Sequence, residues 1–147
     1  MTLQVKRVSV ELEDSSQWIG ISLMNTVLWG IAGALALAFL AAGLMKISQP
    51  REKLAASGMA WTADFSPETV KTVGAVEVLG AVGLIVPAVL GIAPALAAWA
   101  AIGLAATMLG ATVLHLRRKE ASALPAALVL FVLAAVVAWG RLGPYAF

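Results

Sequence analysis

Residues 23–45 read LMNTVLWGIAGALALAFLAAGLM, an uncharged run of 23 residues that ends at Lys46. An α-helix rises about 1.5 Å per residue, so about 20 apolar residues cross the roughly 30 Å hydrocarbon core of a bilayer. The run is therefore long enough for a transmembrane helix. It is too long for the apolar part of a signal peptide, and no small-residue cleavage site follows it.

Three further segments of the chain have the same character. Residues 73–86 are apolar except for Glu77, residues 94–116 contain only His115 as a titratable group, and residues 121–140 are uncharged. Each is bounded by charged residues or prolines, which favour the ends of helices. The four segments predict an all-α protein, a four-helix transmembrane bundle with short loops.

The composition agrees with a membrane protein and excludes several functional classes. Hydrophobic residues make up 61% and charged residues 12% of the chain, against about 45–50% and about 25% in soluble domains. Because such a chain cannot hide its apolar surface from water, we expect a lipid bilayer around it. The chain has no cysteine and one histidine, which excludes thiol-ligated metals and His-rich metal sites within one copy. The net charge of +2 is too small and too dispersed to indicate nucleic-acid binding.

The longest connection, residues 47–66, has the pattern of an interfacial amphipathic helix between the first two spans. Ser48 or Gln49 is expected as its N-cap and Pro50 in its first turn. A second start signal follows, so that the second transmembrane helix is expected to begin near Pro67, outside the hydrocarbon.

The sequence suggests three parts. Residues 1–22 are polar and are expected to form a disordered or surface-lying tail, residues 23–141 form the membrane domain, and residues 142–147 are a short C-terminal tail. A start of translation at Met24 is a second interpretation of the polar segment.

The distribution of lysine and arginine predicts the orientation of the bundle in the cell membrane. The first and third loops and their flanks carry seven of these residues, and the opposite side carries three. Since basic residues concentrate on the cytoplasmic side, we expect the first and third loops in the cytoplasm and both termini outside.

Small residues recur every four positions along the first span, at Gly30, Ala34, Ala38 and Ala42. Transmembrane helices pack closely where such residues let their backbones approach. The stripe is therefore expected to face a neighbouring helix, with Lys46 at its end.

Glu77 is the residue that most needs an explanation, because an ionised side chain inside the bilayer costs about 2.5–3.5 kcal/mol on insertion scales. The alternation of helices brings Lys46 at the end of the first span and His115 at the end of the third to the same side of the membrane. Glu77, His115 and Lys46 therefore form a candidate intramembrane polar site. Two interpretations remain open: a ligand, proton or quinone site, or a buried ion pair that anchors helices.

Three stretches give a resemblance to a known family: LAFLAAGLMK at residues 37–46, GAVEVLGA at residues 74–81 and ATVLH at residues 111–115. In this order they resemble the DoxX-like family over residues 24–141. The resemblance implies a four-helix membrane protein. The family takes its name from a small subunit of an archaeal thiosulfate:quinone oxidoreductase. Mycobacterial relatives are associated with a membrane oxidoreductase complex, and similar vertebrate proteins act in receptor assembly.

This resemblance suggests an accessory subunit of a quinone-linked membrane redox system, without catalytic activity of its own. The sequence identifies no cofactor, a quinone is the candidate that this interpretation allows, and an oxidoreductase or another membrane protein is the expected partner. The alternative is a non-enzymatic scaffold or assembly factor for membrane proteins, and a small proton-coupled transporter comes third. The sequence leaves the oligomeric state, including a homo-oligomer, and the identity of the partner open.

Overall fold

Residues 2–147 form five α-helices and one 3-10 helix. The structure, a computed structural model, describes residues 2–147, and it describes side chains from Glu11 onward except that of Leu12. No strand occurs between residues 2 and 147. The elements are α1 (Thr2–Ser48), α2 (Arg51–Ala56), the 3-10 helix η1 (Ala60–Asp64), α3 (Pro67–Val89), α4 (Leu96–Arg118) and α5 (Leu124–Leu142).

Four of these helices, α1, α3, α4 and α5, are long and apolar enough to cross a membrane. α1 packs against α3, α3 against α4, and α4 against α5, while α1 and α5 share a smaller contact. The predicted all-α bundle with four spans is therefore confirmed, and the chain is a multi-pass membrane protein. We call the end of the bundle with Lys46, Pro67, Arg118 and Leu124 the charged end, and the other the Arg141 end.

The first helix is much longer than its apolar run. α1 already begins at Thr2, so residues 2–22 are helical and not disordered, while the surface-lying form of the expected tail stays a prediction and Met1 lies outside the described residues. All described side chains from Glu11 to Val27 are exposed, and Leu28 is the first buried one. No proline interrupts this segment, so a polar helix can continue out of the bundle with its backbone hydrogen bonds satisfied internally.

The side of α1 that packs on the bundle differs from the predicted small-residue stripe. Gly30, Ala34 and Ala38 are exposed, and a Cβ added at Gly30 would meet nothing within 4 Å. The buried face instead carries the larger apolar side chains of Leu28, Leu35 and Phe39, together with Ala32, and these fill the interior of the bundle. The first three residues of the stripe therefore lie on the outer surface, whereas Ala42 is half-buried and Lys46, at its end, is buried.

Close backbone contact between α1 and α3 occurs one turn before the charged end, at Gly43 and Gly74. A Cβ on Gly43 would lie 2.6 Å from the carbonyl oxygen of Gly74, and a Cβ on Gly74 would lie 2.7 Å from that of Gly43. Because both positions lack a side chain, the two helices touch backbone to backbone, as small residues permit in membranes.

The connection between α1 and α3 contains two short helices in place of the single interfacial helix that was expected. α2 ends at Ala56, and Gly58 follows with a φ of 107°, a left-handed conformation that interrupts the helix. The N-cap of α2 is Pro50 rather than Ser48 or Gln49, with no side-chain capping bond. The cap of α3 is as expected: Ser66 Oγ accepts a hydrogen bond from the backbone N–H of Thr69.

Candidate functional site

Lys46 and Glu77 form an ion pair inside the bundle. Lys46 Nζ lies 2.6 Å from Glu77 Oε2, and the two side chains are only 8% and 3% exposed. The glycine contact between Gly43 and Gly74 lies one turn away on each helix, and it brings α1 and α3 close enough for this pair. Glu77 therefore has the partner that a carboxylate at membrane depth requires.

The pair links α1 to α3. Removing either partner alone destabilises the bundle strongly. A buried ion pair gains little over a well-packed apolar pair, because desolvation offsets the Coulomb attraction. Removing one partner alone leaves an uncompensated charge, which costs about 3–5 kcal/mol in buried pairs. Lys46 and Glu77 thus act as one unit.

His115 takes part in a second polar group at the charged end. Its Nδ1 lies 2.7 Å from Glu120 Oε2, and Arg118 Nε donates to Glu120 Oε1 at 2.6 Å. Arg118 also forms an ion pair with Asp64 of η1. Hydrogen bonds from Arg118 and then from His115 hold the pKa of Glu120 below its usual value of 4.5, so that Glu120 is an ionised acceptor at neutral pH.

The end of α4 explains why Glu120 lies beside His115. Lys119 adopts a left-handed conformation with a φ of 58°. The backbone N–H of Glu120 then donates to the carbonyl of His115 at 3.0 Å, and that of Lys119 donates to Leu116 at 3.1 Å. These two bonds form a Schellman motif, which turns the chain back over the last turn of the helix.

The residues predicted for the site share one cavity. The cavity has a volume of about 420 Å³ and is bounded by α1, α3, α4, α5 and the α2–α3 connection. Lys46, Glu77 and His115 all contribute to its wall. The structure therefore brings the three residues to one space, but as members of two separate pairs, since Glu77 binds Lys46 and His115 binds Glu120. The remaining wall is mostly apolar: Met59, Trp61, Phe65, Val73, Met108, Ala111, Leu114, Ala126, Ala127 and Leu130 are among its residues.

The segment around η1 contributes to the wall of this cavity at the charged end. Trp61 and Phe65 line it and contact each other edge to face, with ring centroids 5.7 Å apart. Arg51 Nη1 donates to the carbonyl of Phe65 at 2.8 Å, and the ion pair between Asp64 and Arg118 fastens η1 to α4. Sequence reasoning missed the roles of Asp64 and Arg118, since residues far apart in the chain give no periodic signal of their contact.

A further polar cluster, also missed from the sequence, lies at the Arg141 end. Arg141 is 5% exposed, and its Nη1 donates to Asn25 Oδ1 at 2.6 Å and to the Tyr145 carbonyl at 3.0 Å. Its guanidinium carbon lies 4.1 Å from the Phe147 ring centroid and 5.4 Å from that of Trp29. The cluster joins α5 to α1 and to the C-terminal residues.

Comparison with known proteins gives one match. The model of the DoxX-like family matches residues 30–137, a range that includes Lys46, Glu77 and His115. No curated protein and no solved structure matches the chain. Because the matched range covers well over half of its length, the protein belongs to the DoxX-like family.

Proposed function

We propose that this protein is an accessory membrane subunit of a quinone-linked redox system and that its cavity binds the head group of a quinone. The observation that carries the proposal is the cavity itself. Its volume of about 420 Å³ falls within the range of about 300–1,000 Å³ typical of small-molecule sites. Its wall is mostly apolar with a few convergent polar groups, which is also the usual pattern.

The chemistry of the wall suits a flat ring with polar oxygens and an apolar tail. Lys46 carries three N–H donors, of which the structure assigns one to Glu77. Trp61 and Phe65 present aromatic rings, and Met108 and Leu130 extend the wall with apolar atoms. A quinone ring could accept from the ammonium group while its tail contacts the apolar wall.

In this proposal the chain works with a partner. The sequence contains no cysteine, so it offers no thiol to carry electrons or to ligate an iron–sulfur cluster. An oxidoreductase in the same membrane would exchange electrons with the quinone, and this subunit would hold the quinone.

A photoreactive quinone analogue tests the proposal in lipid nanodiscs. We expect crosslinks to residues of the cavity wall that an excess of unlabelled quinone suppresses. Leu130→Trp places a larger side chain into the wall and should abolish the crosslink. Leu128→Trp is the matched control, since Leu128 is exposed on the same helix and does not line the cavity. Crosslinks outside the cavity, or equal labelling of both variants, would contradict the proposal.

The Lys46–Glu77 pair favours a scaffold function as a second candidate. Its burial beside the contact of Gly43 and Gly74 suits a bundle whose task is a rigid surface for another membrane protein. Glu77→Gln separates the two candidates. A scaffold should show no quinone crosslink in the wild type and should lose thermal stability and recovery of its partner in Glu77→Gln, whereas a quinone subunit should lose the crosslink that its wild type shows.

We further propose that the charged end faces the cytoplasm, with both termini outside. The support is the excess of lysine and arginine on the first and third loops. Reporter fusions at residues 57 and 147 test the orientation, and a cytoplasmic signal from position 147 would contradict it.

A further inference from the structure

The polar atoms of the cavity differ in whether they donate or accept hydrogen bonds. For His115, the contact with Glu120 determines which ring nitrogen carries the proton. An ionised carboxylate can only accept hydrogen bonds. Because Glu120 is ionised at neutral pH and lies 2.7 Å from Nδ1, the proton of a neutral imidazole must be on Nδ1. The other nitrogen, Nε2, then carries a lone pair and is an acceptor.

Glu77, on α3, adds a second acceptor to the wall of the cavity. Its Oε2 accepts from Lys46, and no contact within residues 2–147 is assigned to Oε1. Arg141 Nη2 is the one fully enclosed side-chain nitrogen or oxygen without a partner in the described chain. Both side chains line the cavity, with 3% of the Glu77 side chain and 12% of the His115 side chain exposed.

We propose that the cavity selects the reduced, hydroquinone form of its ligand, whose hydroxyl groups donate to Glu77 and to Nε2 of His115. Glu120 is the positioning residue, because it keeps the proton of His115 away from the cavity. This inference rests on the proposed quinone site and names the form that the site prefers. An oxidised quinone has only acceptor oxygens. It could accept hydrogen bonds from Lys46, but it would have no donor for Glu77 or for Nε2 of His115.

The tautomer of His115 can be observed directly, since the chain has a single histidine. Nitrogen-15 NMR of the imidazole in nanodiscs should show the proton on Nδ1 at neutral pH. Glu120→Gln replaces an obligate acceptor by an amide that also donates, and should shift the population toward the proton on Nε2. Glu52→Gln, an equal change at an exposed residue outside this cavity, should leave the spectrum unchanged. A wild-type imidazole with its proton mainly on Nε2 would overturn the inference.

The second test compares the affinities of ubiquinone-1 and ubiquinol-1 for the protein in nanodiscs without oxygen. We expect ubiquinol-1 to bind at least about tenfold more tightly, because leaving even one of the two acceptors unpaired costs about that factor. Glu120→Gln should reduce the ratio to about threefold or less, while Glu52→Gln keeps it. Equal binding of the two forms, or tighter binding of the quinone, overturns the selectivity and leaves the quinone site standing. Binding of neither form overturns both proposals. The wild-type ratio and tautomer decide the question even where Glu120→Gln does not fold.

Discussion

Replacing Gly43 by alanine inserts a methyl group into the closest contact between α1 and α3. The new Cβ would lie 2.6 Å from the carbonyl oxygen of Gly74 and 2.8 Å from Cγ2 of Val78. Ordinary van der Waals contact begins at 3.4 Å, so the helices must separate by about 0.8 Å at this point. The atom of Gly74 belongs to the backbone, which cannot turn aside as a flexible side chain can.

The cost follows from overpacking of a close contact. Extra methyl groups in well-packed interiors cost about 1–3 kcal/mol, and we expect Gly43→Ala to fall in this range. A loss of 1 kcal/mol lowers Tm by about 2–4 °C in a domain of about this size. The separation also stretches the Lys46–Glu77 pair, which lies one turn beyond the substituted position.

Thermal unfolding in nanodiscs, followed by circular dichroism, measures the effect against a control on the same helix. Gly30→Ala makes the same chemical change where nothing lies within 4 Å of the new Cβ, so Tm should stay constant or rise slightly. Gly43→Ala should lower Tm by several degrees relative to Gly30→Ala. If the two variants unfold at the same temperature, the backbone contact of Gly43 and Gly74 does not limit how closely α1 and α3 pack.

Three further predictions concern the polar groups. Glu77→Gln should destabilise the bundle by about 3–5 kcal/mol in thermal unfolding, and addition of Lys46→Met should recover most of the loss; equal stability of single and double variants would contradict the pair. The lowered pKa of Glu120 means that its contribution to the α4–α5 connection is present above pH 4.5 and is lost as the pH falls through the folded-state pKa; the protection of the amides there, measured as hydrogen exchange relative to the intrinsic rate at each pH, should therefore decrease in acid, and constant protection would refute this. Asn25→Leu removes the acceptor of Arg141 Nη1 and should cost about 1.5–3 kcal/mol in thermal unfolding, whereas an unchanged Tm would show that the Tyr145 carbonyl suffices.

The four spans could be predicted from the sequence because the bilayer imposes a length. Apolar runs such as residues 23–45 must be helical to satisfy their backbone in lipid, and about 20 residues are needed to cross. The convergence of Lys46, Glu77 and His115 at one end also followed, since helices that alternate in direction place every second connection on the same side. Both predictions depend only on the order of apolar and polar segments along the chain.

The contacts within the site could not be predicted in the same way. Which side of α1 faces the bundle depends on the fit of side chains such as Phe39 against α3 and α5, and the regular stripe of small residues indicated the wrong side. The partner of His115 depends on a left-handed Lys119, a conformation that glycine usually supplies. Asn25 and Arg141 lie 116 positions apart, so only the folded bundle relates them.

The length of α1 has a mechanical consequence. Its 47 residues extend about 70 Å, and roughly half of that length lies beyond Asn25, the last residue that α5 holds through Arg141. Because α1 is held only along one half, a change in its direction inside the membrane is amplified at its free end. A tilt of about 10° within the membrane would move the far end by about 6 Å, so small adjustments of packing around the cavity would become large displacements at Thr2.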